Sequence, residues 1–294
     1  MKYLQTLLIV SVALVGIAAT IVNAQNLPAK FGTPEGTNAL AATAGFIDVL
    51  DIKLGMPAEA AMAILKKNYP GSKITLERTP DYESAWYRLE RENPSHKWVY
   101  KIAVNYNGLG GDNIVVGLSL PPSKQVVQSI GRATSLSEPV AVENIVASLR
   151  KKYGQETYAF DEVQKDFLWV YDTQGNRVKP AAVTENATRC ELSMGGDSGA
   201  ALISLAVTRP YEHDTLKNNP CLSLVILHAS IQAVSAAQGR GFNGQTRSFQ
   251  VFAYDWPLIT SGANALYAFL DQGALDVAAK QAADAKKRGG DVKY

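Results

Sequence analysis

The chain has 294 residues, of which 47% are hydrophobic and 19% are charged. This composition excludes a disordered or collagen-like chain, because such chains have too few apolar side chains to form a core. The 29 basic and 27 acidic residues leave a net charge of only +2, which excludes an electrostatic footprint for nucleic acid. We therefore expect no nucleic-acid partner.

The first 24 residues have the layout of a secretory signal peptide. Lys2 is their one charged side chain, residues 7–22 are largely apolar, and Val22-Asn23-Ala24 precedes Gln25. This order is typical of an export signal that is cleaved after Ala24. The alternative is a retained signal anchor, since about 20 apolar residues can span a bilayer. We expect a periplasmic or secreted protein, with no integral membrane span once the signal peptide is removed.

Two cysteines, Cys190 and Cys221, are the only ones in the chain. An exported protein meets an oxidising environment, so we predict a disulfide bond between them. The alternative is a cysteine nucleophile, for which His213 or His228 would have to act as the base.

Two helices are indicated after a lead-in at residues 25–45, which is rich in Ala, Gly, Pro and Thr and is expected to be flexible. The first helix opens at Pro57, and apolar residues then recur at helical spacing up to Tyr69. The second helix has Ser137 as its candidate N-cap and ends at Gly154.

Runs with β-strand character follow each of these helices. They are residues 98–105 and 113–120 after the first helix, and residues 166–171, 200–207 and 222–230 after the second.

The two helices resemble copies of one sequence. Residues 63–69 align with residues 147–153 at a constant offset of 84, and Trp86-Tyr87 aligns with Trp169-Val170 at an offset of 83. We therefore predict an α+β fold of two related modules, each a helix packed on a small antiparallel sheet. The predicted organisation is a signal peptide (1–24), the lead-in (25–45), a first module (46–135), a second module (136–256) and a C-terminal helical tail (257–294).

The opening Leu54-Gly55-Met56-Pro57, followed by a helix, a Tyr-Pro or Tyr-Gly stop and strands, is similar to the modules of small bacterial envelope proteins of the BamE/SmpA type. A tandem arrangement of such modules resembles β-lactamase inhibitory protein. The resemblance implies a non-catalytic binding protein that presents a sheet surface to a partner. It assigns no role to an individual residue.

A different function is suggested by the Gly-Asp-Ser-Gly string at residues 196–199, which resembles the nucleophile segment of trypsin-like serine peptidases. A nucleophilic serine needs a histidine held by an acidic residue, and this family places that histidine early in the chain. Here His213 and His228 both follow Ser198. Gly and Asp before a strand are also common in turns. A secreted serine hydrolase using Ser198, Asp197 and one of these histidines therefore remains the alternative function.

Two further motifs resemble a cofactor site and a metal site, but we expect neither a cofactor nor a metal at them. Residues 239–244 match the Gly-x-Gly-x-x-Gly pattern of dinucleotide-binding proteins, but they lead into the strand-like residues 249–254 and not into a helix. Glu212-His213-Asp214 offers three possible metal ligands in a row, and three consecutive residues cannot close a coordination sphere. We interpret both segments as loops.

Aromatic residues are concentrated between residues 82 and 106, where they alternate with Arg and Lys. Strand alternation would place Trp98 and Tyr100 on one face with Ile102, and Val99 on the other. The rings either fill the core or form an interface in which Trp, Tyr and Arg contribute most of the binding energy. The candidate contacts are Trp86, Tyr87, Trp98 and Tyr100. We predict an exported, non-enzymatic binding or envelope-accessory protein whose partner is another protein or an envelope component.

Overall fold

The computed structural model describes residues 45–78, 98–106, 110–120, 123–160, 165–178, 223–235 and 242–289. The strands in this part of the chain are β1 (Asp48–Val49), β2 (Ile52–Lys53), β3 (Lys73–Arg78), β4 (Val99–Tyr106), β5 (Asp112–Leu118), β6 (Val127–Ala141), β7 (Tyr158–Phe160), β8 (Lys165–Tyr171), β9 (Val225–Ser235) and β10 (Phe242–Asp255). The helices are α1 (Ala58–Asn68), α2 (Val142–Tyr153) and α3 (Trp256–Gly289). The predicted signal peptide and the predicted strand at residues 200–207 lie outside the described residues.

Eight of the strands form one antiparallel sheet in the order β3-β4-β5-β6-β10-β9-β8-β7. The chain thus has a mixed α+β fold. The sheet is larger than the two small sheets predicted, because β6 pairs with β10 from Ser129 opposite Tyr254 to Ala141 opposite Gln245. This pairing satisfies backbone groups that two separate sheets would leave at exposed edges.

The strand predictions succeeded where the sequence alternates or is continuously apolar. The predicted runs at residues 98–105, 113–120, 166–171 and 222–230 overlap β4, β5, β8 and β9. No strand is predicted from the sequence at β3, β6 or β7. β6 is a polar, Ser-rich segment that contains Gly131 and Pro139, so its strand conformation depends on its two neighbours and not on its own pattern.

α1 and α2 pack on the same face of the sheet, in one hydrophobic core. The buried helical residues recur at intervals of three and four, as expected for one face of an amphipathic helix. They are Ala58, Ala61, Met62 and Leu65 on α1 and Val142, Val146 and Leu149 on α2.

The predicted start of α2 is wrong. Ser137 lies within β6, and the N-cap position of α2 is Ala141, which makes no side-chain capping hydrogen bond. Val140 and Ala141 are opposite Thr246 and Gln245 in the sheet. This pairing continues the strand past the capping signal, because ladder hydrogen bonds and burial outweigh a single cap. The predicted module boundary at residue 136 therefore falls inside β6.

The β1–β2 hairpin lies against β6 and β10 and contributes Ile47, Val49, Ile52 and Leu54 to the same core. Two contacts hold β1 to the end of α2. Lys152 Nζ is 2.6 Å from Asp48 Oδ1, and the Tyr153 hydroxyl donates a hydrogen bond of 2.8 Å to the carbonyl of Asp48. The start of the predicted first module is therefore part of the core from Ile47 onward.

α3 begins on the opposite face of the sheet. Trp256 and Ile259 pack with Leu168, Val170, Ile226 and Tyr254 in a second hydrophobic cluster. Asp255 Oδ1 accepts a hydrogen bond of 2.9 Å from the backbone N–H of Leu258, so a buried aspartate caps this helix. Residues 278–288 of α3 are exposed. Among the described residues, no helix is both long and apolar enough to cross a membrane.

Candidate functional site

The face of the sheet opposite α1 and α2 is here called the distal face. It contains most of the described residues that are candidates for binding or catalysis. The strand registers identify which residues lie on this face, since alternate residues of a strand point to opposite faces. One continuous row crosses all eight strands and consists of Thr75, Ala103, Val115, Gly131, Phe252, His228, Leu168 and Tyr158. The first four members of this row are small or medium in size, and the last four are large.

The first half of the distal face, on β3 to β6, is shallow and partly exposed. Thr75 and Asn113 are exposed, and Ala103, Val115 and Ala133 are half-buried. Because these side chains are short, a partner could approach close to the strand backbone. Neither a long apolar side chain nor a cluster of like charges lies among these five positions.

Gly131 adapts this half of the face to Phe252 on β10. A Cβ atom at this position would lie 3.1 Å from Cδ1 of the Phe252 ring, which is tighter than an ordinary van der Waals contact. The absence of a side chain at Gly131 thus leaves room for the half-buried Phe252 ring beside the shallow half of the distal face.

A polar cluster marks the β3 end of the distal face. The Tyr100 hydroxyl donates a hydrogen bond of 2.8 Å to Glu77 Oε2, and Lys101 Nζ is 2.7 Å from Glu77 Oε1. Burial of the ring raises the pKa of Tyr100, and the hydrogen bond to Glu77 raises it further. This tyrosine is therefore a neutral hydrogen-bond donor at physiological pH.

The strand alternation predicted around Tyr100 is wrong. The register between β3 and β4 shifts, so that Val99 is opposite Arg78 and Lys101 is opposite Glu77. Tyr100 is the extra residue of this β-bulge, which reverses the alternation on one side of it. Val99 therefore enters the core together with Ile102.

The four predicted aromatic contacts have different environments. Trp98 is only 8% exposed, which favours the interpretation that this ring fills space in the protein interior. Tyr100 is half-buried, and its hydroxyl is bound to Glu77. Trp86 and Tyr87 lie outside the described residues, and their role stays a prediction.

The second half of the distal face contains an aspartate–histidine pair that sequence reasoning missed. His228 Nε2 lies 3.1 Å from Asp166 Oδ1, and the two side chains are 11% and 20% exposed. Ser230 is opposite Asp166 in the register between β8 and β9, and the His228 ring is stacked beside Phe252 at a centroid distance of 6.1 Å. A carboxylate in this position orients an imidazole, which is also what a histidine base requires.

The pair was missed because Asp166 and His228 are 62 residues apart and only the β8–β9 pairing brings them together. The available signal was His228, a polar residue directly after the apolar run at residues 225–227 of β9, and Asp166 directly before the apolar run of β8. A polar side chain at such a position usually has a hydrogen-bond partner nearby.

Several predicted site residues lie outside the described residues. They are Asp197, Ser198 and His213 of the hydrolase alternative and Cys190 and Cys221 of the predicted disulfide. The last three residues of the Gly-x-Gly-x-x-Gly string, 242–244, form the start of β10. A strand at this point does not provide the helix N-terminus that a dinucleotide phosphate needs. Within the described ranges, no group of three or more His, Cys, Asp or Glu side chains could hold a metal ion.

A separate polar network lies on the helix side of the sheet, centred on Asp112. Arg132 donates from Nε and Nη2 to the two carboxylate oxygens at 3.0 Å each, Thr134 donates at 2.5 Å and the Tyr69 hydroxyl at 2.9 Å. Burial opposes ionisation of Asp112, but the hydrogen bonds from Arg132 and Thr134 outweigh it and hold the pKa of this carboxyl below its ordinary value. The network joins the end of α1 to β5 and β6, which is a structural role.

Comparison of the chain with protein-family models, with curated proteins and with solved structures gives no match.

Proposed function

We propose that the protein is an exported, non-enzymatic binding or envelope-accessory protein that contacts its partner through the distal face of the sheet. The observation that carries this proposal is the placement of α1 and α2 on one face, together with the short, half-exposed side chains on the other face of β3 to β6. Short side chains on a regular sheet allow a close-fitting contact with little loss of side-chain entropy. The partner is another protein or an envelope component.

We further propose that the two halves of the sheet are related modules. In each half a helix precedes four strands, and the sheet order runs β3-β4-β5-β6 in one half and β7-β8-β9-β10 in reverse in the other. The sequence offset of 84 moves the first residue of α1, Ala58, to Val142, the first residue of α2. This organisation agrees with what the resemblance to tandem BamE/SmpA-type modules and to β-lactamase inhibitory protein implies.

Two matched substitutions test the binding face. Ala133→Arg places a long charged side chain on β6 at the centre of the distal face, whereas Ala147→Arg places the same side chain on the exposed surface of α2. The immobilised wild-type protein and both variants are incubated with the native periplasmic or secreted fraction, and the retained species is then purified and titrated. We expect Ala133→Arg to weaken its affinity at least about tenfold and Ala147→Arg to leave it unchanged.

The melting temperatures of both variants are measured first, so that a loss of binding is not confused with unfolding. Both side chains lie at partly or fully exposed positions, where substitutions usually change the free energy of unfolding by about 0.5 kcal/mol or less. If Ala133→Arg retains wild-type affinity, the distal face does not bind the partner. If Ala147→Arg weakens binding equally, the loss is not specific to the distal face, and this result also contradicts the proposal.

The aromatic contacts need variants chosen by their environment. Trp98→Ala removes a buried ring and is expected to cost about 3–5 kcal/mol of stability, so it cannot test binding. Tyr100→Phe keeps the ring and removes only the hydrogen bond to Glu77. For Trp86 and Tyr87 we propose an alanine double variant, which should lose the partner without a change in melting temperature. An unchanged affinity would remove both residues from the interface.

Export and the disulfide are part of the same proposal. Cleavage of the signal peptide predicts a mature chain that begins at Gln25, which N-terminal sequencing of the exported fraction would identify. A bond between Cys190 and Cys221 predicts that alkylation labels the protein only after reduction. Recovery of the chain only in the cytoplasm, or labelling without reduction, would overturn these parts of the proposal.

A secreted serine hydrolase is the second candidate function, and one observation favours it. The Nε2 atom of His228 lies 3.1 Å from Asp166 Oδ1, so a carboxylate holds the imidazole, as in a serine hydrolase. The usual triad has the carboxylate on Nδ1, so here Nδ1 would have to act as the base. A fluorophosphonate probe tests this function, with Ser198→Ala and His228→Ala as the variants. Labelling of wild-type protein that both variants abolish would establish a serine hydrolase. Absence of a Ser198 adduct in folded wild-type protein would exclude Ser198 as the nucleophile.

A further inference from the structure

We draw no further inference here: the strongest candidate, the alanine-rich surface of the C-terminal half of α3, is exposed over residues 278–288, and nothing in the described part of the structure shows what covers it.

Discussion

Asp112→Asn should be one of the more damaging single-atom changes in this protein, because it removes a charge on which four hydrogen bonds converge. The carboxylate receives two bonds from Arg132, one from Thr134 and one from Tyr69. The amide has nearly the same shape, so no cavity is created. The loss therefore measures the charge and the hydrogen-bond pattern and not the packing.

The expected loss can be bounded from the geometry. A hydrogen bond to a charged group contributes about 1.5–3 kcal/mol to stability, and removal of one partner of a fully buried ion pair costs about 3–5 kcal/mol. The Asp112 and Arg132 side chains are 11% and 26% exposed, so water screens part of the charge left on Arg132. We expect Asp112→Asn to lower the free energy of unfolding by about 2–3 kcal/mol at pH 7.

Urea unfolding curves of the wild type and Asp112→Asn provide the measurement, with Asp284→Asn on the exposed part of α3 as the matched control. Thr134→Val and Tyr69→Phe each remove one hydrogen bond from the network and should each cost about 1 kcal/mol. A loss below about 0.5 kcal/mol for Asp112→Asn would refute the reasoning.

The pH dependence gives an independent check of the same group. The pKa of Asp112 is lowered in the folded state, so the folded protein favours the ionised carboxylate more than the unfolded chain does. This contribution is complete above the unfolded pKa of about 3.9 and is lost as the pH falls through the lower folded-state value. The stability difference between the wild type and Asp112→Asn should stay constant from pH 5 to 7 and shrink below about pH 4. A difference that does not shrink there would contradict the assignment.

Asp51→Gly should raise the free energy of unfolding by about 0.5–1 kcal/mol. The exposed Asp51 has a φ of 66° in the β1–β2 turn, and glycine adopts this conformation without strain. A lower melting temperature would mean that the aspartate side chain stabilises the turn. Gly131→Ala should cost about 1 kcal/mol in urea unfolding, because its Cβ would lie 3.1 Å from Phe252 Cδ1. An equal cost in a Phe252→Leu background would rule out this contact as the cause. Trp169→Phe should cost about 2 kcal/mol, because the fully buried indole Nε1–H donates to the carbonyl of Gly154 at 2.9 Å. A neutral result in the same assay would mean that another donor satisfies this carbonyl.

The features that could be predicted from sequence are those set by local periodicity. α1 and α2 are short amphipathic helices whose apolar residues recur at intervals of three and four. This pattern can be read from the sequence without knowing which part of the sheet the helix packs on. β4, β5, β8 and β9 carry enough alternating or continuous apolar sequence to be detected in the same way. The similarity of residues 63–69 to residues 147–153 is also visible in the sequence, and the relation of two modules that it predicts stays a prediction.

Features that depend on a neighbouring strand could not be predicted. The extension of β6 to Ala141 follows from its pairing with β10, and the burial of Val99 follows from a register shift against β3. The candidate site also depends on strand pairing, since only the β8–β9 ladder brings Asp166 and His228 together.

The sequence by itself determined where the helices and the most apolar strands of this protein form, because side-chain periodicity acts within a few residues. Only the tertiary structure decided that the halves share one sheet through β6 and β10 and that both α1 and α2 lie on one face. It also decided which side chains of β3 to β6 face away from these helices. The physical reason is that backbone pairing between strands carries no side-chain signature, so register and sheet order are settled when distant segments pack together.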